Sequence, residues 1–316
     1  KVRTMSHQMI AVEEQQPEEA HPLDRLTQGG WGRGVLRLGV GGGLLALVLA
    51  LTGPEALGEL WKVQHLPLLL VGALLSATQR VVRVGKWAGL VEQTELLRRP
   101  LSYLVRIQFV GLLVNVLVPL SEVLKMWAVC RNRSDTPLVL ETLTVDIALL
   151  SATVGVMGLG VGAALAWLGA ASWWVWLPGG VLATAAVAVL ATVRWRSGAV
   201  QVTQTAVAMS VVEALCLLGV YGAAMASLGL PMEGLVLVAV YPLLYLSHLV
   251  ALTPSGLGLR EGVFALVFAG MSETPMQTAA AVGLMVSAMH LVMTLVGGAL
   301  ALALPGRSLR ERPPAV

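Results

Sequence analysis

Charge is scarce in this chain: only 12% of its 316 residues are Asp, Glu, Lys or Arg, against 56% hydrophobic residues. A soluble core of this length does not need such an excess, and long runs nearly free of charge exclude an ordinary soluble domain. Cysteine is scarcer still. Cys130, beside a basic loop, and Cys216, inside an apolar run, have neither a metal-binding spacing nor a disulfide pattern. His248 and His290 have no partners at ligand spacing, so no metal site is expected. No Gly-x-x-x-x-Gly-Lys-Ser/Thr run occurs, which removes a bound nucleotide as an expected cofactor or power source. The pI near 9.1 does not point to nucleic acid, because the positive charges sit between apolar runs, where they orient helices.

What remains is a polytopic, all-α membrane protein. Apolar runs approach or reach the roughly 20 residues needed to span a bilayer at about 34–52, 65–82, 138–168, 173–193, 203–228 and 276–304. They predict about six crossings within a membrane domain covering 34–304. Residues 1–33, rich in Glu, Gln and Pro, are expected to form a disordered cytoplasmic tail, and residues 305–316 a second one. Basic residues favour the cytoplasmic face, and with both termini inside, 19 of the 21 Lys and Arg residues fall in segments assigned to that face. The expected location is the cell membrane.

Two segments break this regular pattern. Nine basic residues (Arg80, Arg83, Lys86, Arg98, Arg99, Arg106, Lys125, Arg131 and Arg133) lie between 80 and 133 on both flanks of the apolar stretch 107–120. Read as cytoplasmic loops, they make that stretch a re-entrant hairpin that enters and leaves on one face. Arg260 lies in the second segment, Thr253-Pro-Ser-Gly-Leu-Gly-Leu-Arg-Glu-Gly262, between the short apolar runs 235–252 and 263–270. The flanking loops carry no positive charge, so this pair reads as a hairpin dipping in from outside. Irregular backbone at membrane depth requires burial by protein or a watery cavity. Opposed broken elements meeting near the midplane are the pattern of transport folds built from inverted halves.

These two segments also carry a resemblance. The stretch from Pro254 to Gly262, preceded by Tyr241-Pro242, resembles the carboxyl-terminal signature of the lysylphosphatidylglycerol synthase transmembrane region, a flippase-like membrane family. Asn115, Pro119, Glu122 and Lys125 are similar to its amino-terminal counterpart, with Leu120 and Ser121 in place of the family's glycines and Lys125 in place of its Arg. The resemblance covers about 35–304. It implies an integral membrane protein that moves, or helps to move, an amphiphilic lipid between leaflets.

Ionisable groups are expensive at membrane depth and persist where they meet a cavity, a partner or a substrate. Arg260 could receive a phosphate through its planar fork, with Glu261 holding the guanidinium or accepting from an amine. The alternative is a structural ion pair at a helix start. Ser255, Gly256 and Gly258 offer close backbone approach and exposed N–H groups, as an anion cradle or as a plain turn. Glu122 and Lys125, three apart, share a helix face, and Asn115 can bond exposed carbonyls; they line a head-group path or simply stabilise the hairpin. Glu213 and Asp146 should line the same cavity. Gly155, Gly158, Gly160, Gly162, Gly219 and Gly222 are expected at close helix contacts.

The leading expectation is therefore a lipid-moving protein, not an enzyme, whose partner is a membrane lipid with an anionic or amphiphilic head group. Its rivals are a membrane-embedded lipid transferase using Glu122, Asp146 or Glu213 as general base, and a membrane subunit that positions a separate lipid-modifying enzyme. The sequence leaves the oligomeric state open.

Overall fold

The protein is described from a computed structural model. It describes residues 55–94, 101–115, 135–169, 176–196, 198–231, 234–249 and 258–303, with scattered positions in 39–50 and 125–130. Among the described residues the structure is helical throughout. After a short helix α1 (Glu55–Glu59) come α2 (Leu66–Glu92), α3 (Leu101–Asn115), α4 (Thr136–Trp167), α5 (Leu177–Arg196), α6 (Gln204–Ser227), α7 (Gly234–Leu249), α8 (Leu259–Met271) and α9 (Met276–Ala303). Five of these, α2, α4, α5, α6 and α9, are long and apolar enough to cross a membrane. They match five of the six apolar runs. The first run, 34–52, lies largely outside the described residues, as do both predicted tails.

Local sequence explains the element boundaries. Proline follows the first residue of both α2 and α4, where a missing N–H costs nothing. Thr203 caps α6 by accepting the Ala206 N–H. Helices α2 and α6 form an antiparallel pair along their length. At one end Gln64 N–H donates to the Ser227 carbonyl; at the other, Gln201 N–H donates to Gln93 Oε1 at 2.8 Å.

Helix α2 corrects one reading of the sequence. The apolar run ends near residue 82, and Arg80, Arg83 and Lys86 read as part of a cytoplasmic basic segment. The helix continues to Glu92, and Lys86 is buried inside the bundle. Helical spacing puts Gln79, Arg83 and Lys86 on one face, where they meet acids from other helices.

The remaining helices are short. Helix α7 has 16 residues and α8 has 13; they pack on each other, α7 also on α4 and α8 also on α9. The amino-terminal end of α8 meets the middle of α9: Ser287, near the centre of that 28-residue helix, bonds to Arg260 and Glu261. Helix α3 packs on α2 and α9, and the continuation of its predicted hairpin falls outside the described residues.

Small residues set how closely helices approach. A Cβ on Gly158 would overlap the Pro242 ring of α7, and one on Gly155 would lie 2.5 Å from the Ala183 backbone nitrogen of α5. One on Gly283 of α9 would come within 3.0 Å of the Glu261 Cα. Gly160 departs from the expected pattern, since its Cβ position has nothing within 4 Å.

The core where α6, α7, α8 and α9 converge is aromatic and aliphatic. Tyr221 and Phe264 stack with ring centroids 5.2 Å apart, and Phe264 stacks on Phe268 at 4.8 Å. These contacts fix the face of α8 that carries Arg260 and Glu261.

Candidate functional site

The buried charges form two groups that meet across the middle of the bundle. In the first, Lys86 Nζ lies 2.8 Å from a Glu213 oxygen and 3.0 Å from Asp146 Oδ1. All three side chains are at most 1% exposed. Gln79 Nε2 donates to the other Glu213 oxygen at 2.8 Å, and Arg83 Nε lies 3.5 Å from Asp146 Oδ2. The Lys86–Asp146 contact is ionic without hydrogen-bond geometry, since Asp146 Oδ1 has no hydrogen-bond partner. Asp146 and Glu213 sit about 15 Å and about 13 Å from the starts of α4 and α6, and Lys86 about 9 Å from the end of α2, at 1.5 Å per residue. The antiparallel packing brings these three depths together.

The second group gathers at the start of α8. Gly258, with φ 84°, takes a backbone conformation that favours glycine, and its N–H donates to Glu261 Oε2 at 2.5 Å. Ser287 Oγ accepts from Arg260 Nη2 and donates to Glu261 Oε1. Arg260 Nη2 is also 3.6 Å from Glu261 Oε1. The Arg260 side chain is 7% exposed, yet its Nε is buried with no hydrogen-bond partner. Nearby, Ser76 Oγ and His290 Nδ1 are 2.7 Å apart and tie α2 to α9.

Tyrosines of α7 lie near these groups. Tyr241 lies within electrostatic reach of both Glu213 and Arg260, and Tyr245, one turn on, of Arg83, Glu213 and Asp146. Tyr245 Oη is 3.5 Å from Ser151 Oγ. Five helices, α2, α4, α6, α8 and α9, thus direct charged or hydroxyl side chains toward one mid-bundle region, with α7 supplying its phenols.

Among the residues singled out from the sequence, the structure brings Glu213 and Asp146 together through Lys86 and places Arg260, Glu261 and Gly258 at one helix start. Lys125 is buried elsewhere, with its Nζ 5.7 Å from the Trp87 ring centroid. Ser255, Gly256 and Glu122 lie outside the described residues, as does the Asn115 side chain. Sequence reasoning overlooked Gln79, Arg80, Arg83, Lys86 and Ser287 as site residues. The recurrence of polar residues at 76, 79, 83 and 86, helical spacing with no proline until Pro100, was the available signal.

The family model described as lysylphosphatidylglycerol synthase TM region matches residues 34–298. The chain belongs to this family. No curated protein and no solved structure is significantly similar to it. As a member of the lysylphosphatidylglycerol synthase TM region family with five helices of spanning length, it is a multi-pass membrane protein tied to lipid biology.

Proposed function

We propose that the protein moves a phospholipid or similar amphiphile between leaflets, its head group passing the mid-bundle charges while the acyl chains stay in lipid. The observation that carries this reading is Arg260. Its guanidinium stands at a helix start at mid-bundle depth, oriented by Ser287 and Glu261, with Nε unsatisfied. A planar guanidinium with a free edge suits a phosphate oxygen. A helix that begins at this depth supports a re-entrant arrangement of α7 and α8. The charge distribution supports cytoplasmic termini and a cell-membrane location.

The transferase reading is weaker on geometry. Asp146 and Glu213, two of its three candidate bases, are each engaged by Lys86 as structural counter-charges, and the third, Glu122, lies outside the described residues. The docking-subunit reading rests on the amino-terminal segment alone.

The test is lipid translocation in sealed vesicles containing only this protein and a head-group-intact fluorescent phospholipid, with impermeant quencher added outside and lipids quantified by mass spectrometry afterwards. Protein-dependent loss of the protected inner-leaflet signal, with unchanged lipid chemistry, is expected. A chemically altered head group would establish the transferase instead, and no movement above protein-free vesicles would overturn the proposal.

A further inference from the structure

Of the cations in the site described above, Arg260 is the one read as a phosphate ligand, and a second guanidinium, that of Arg80, lies within its electrostatic reach. Arg80 lies near the centre of α2, one turn after Ser76. Its Nη2 makes a single long contact, 3.5 Å, to the His290 backbone carbonyl, and its Nε is buried with no partner. No carboxylate among the described residues pairs with it. The nearby acids are already engaged: Glu213 by Lys86 and Gln79, and Asp146 by Lys86 and Arg83.

Arg80 and Arg260 are held against the same turn of α9. Ser287 bonds to Arg260 and His290, three residues later, offers its carbonyl to Arg80. Three residues of helix rise about 4.5 Å, so the two guanidinium groups are anchored within about one turn of each other along α9. They lie within electrostatic reach of each other and repel. Burying two like charges near each other is costly, and a bound anion relieves both the repulsion and the desolvation.

We infer that Arg80 and Arg260 form a two-arginine clamp that closes on one phosphate group, with one guanidinium on each of two of its oxygens. This rests on the phosphate-binding reading of Arg260 and adds to it the partner residue. In the membrane the phosphate belongs to a phospholipid head group, and in water to a soluble phosphate.

The experiment uses the full chain in neutral detergent, with binding followed by thermal shift. Four probes separate the sources: phosphatidylglycerol, its deacylated head group glycerophosphoglycerol, inorganic phosphate, and diacylglycerol as the uncharged lipid. Arg80→Gln, Arg260→Gln and the double variant are compared with wild type, and Arg196→Gln, an exposed arginine at the end of α5, controls for net charge. Phosphatidylglycerol should stabilise wild type and Arg196→Gln alike, and each single site variant should weaken binding by roughly tenfold or more, as expected when one partner of a buried charge contact is removed. Because both residues hold one group, the double variant should be little weaker than either single. Without lipid, Arg80→Gln should melt no lower than wild type, since it removes an uncompensated charge.

Binding by Arg80→Gln within about twofold of wild type, or losses that multiply in the double variant, overturns the clamp. If Arg260→Gln alone weakens binding, the proposed site stands and the clamp fails; if neither variant does, both fail. Inorganic phosphate that binds as tightly as the lipid, with the same arginine dependence, retains the clamp and assigns it a soluble ligand. Should Arg80→Gln fail to fold, Arg80→Lys, which keeps the charge and loses the fork, is scored by the same criteria.

Discussion

Lys86 Nζ sits 2.8 Å from the Glu213 carboxylate, joining residues 127 positions apart with both side chains fully buried. The same ammonium holds Asp146, so a single lysine ties α2, α4 and α6 together in the membrane domain. Breaking such a contact from one side leaves charge stranded in a low dielectric. Replacing all of its members does not.

Lys86→Met should therefore destabilise the protein by about 3–5 kcal/mol, the usual consequence of stranding a buried charge. Combining it with Glu213→Gln, which leaves Asp146 paired with Arg83, should recover most of that loss. Melting in detergent checks both, and a double variant no more stable than Lys86→Met would contradict the ion-pair account.

Ser287→Ala removes the hydroxyl that bonds to both Arg260 and Glu261. The expected cost is about 1–3 kcal/mol, the range for leaving buried polar partners unsatisfied. Translocation should fall as Arg260 loses its orientation. Arg260→Lys should impair translocation while melting like wild type, because it keeps the charge without the fork. Equal transport by Arg260→Lys and wild type, with only Glu261→Gln lowering the melting temperature, would make the pair structural.

Gly158→Val would drive a side chain into the Pro242 ring. Overpacking at a close helix contact costs about 1–3 kcal/mol, and Gly160→Val, at a position with open space, should cost far less. Comparing the two melting temperatures separates close packing from a general intolerance of valine.

Sidedness is testable by impermeant thiol labelling in a Cys130→Ser, Cys216→Ser background. Cysteines placed at 94, 132 and 201 should label together from the cytoplasmic side, and those at 229 and 273 from the outer side. Residue 132 labelled from outside in sealed membranes would remove the first hairpin. In wild type, burial pushes the Cys130 thiol up, so it should label more slowly at neutral pH than an exposed cysteine.

The sequence by itself determined the class of the protein, five of its long helices, and Arg260 and Glu261 as a pair at a break between short apolar segments. Those features are local: a run of apolar residues is read by length, and a Pro-Ser-Gly-Leu-Gly turn by backbone chemistry. The role of Arg80, Arg83 and Lys86 was decided only by the tertiary structure. In one dimension a cationic stretch after an apolar run reads as a cytoplasmic loop, because water is the default solvent for charge. Within the bundle, Asp146 and Glu213 replace that water for Arg83 and Lys86. Their sequence separations, 63 and 127 residues, lie beyond any local pattern, so only helix packing could show that these charges solvate one another and that Arg80 lies within electrostatic reach of Arg260.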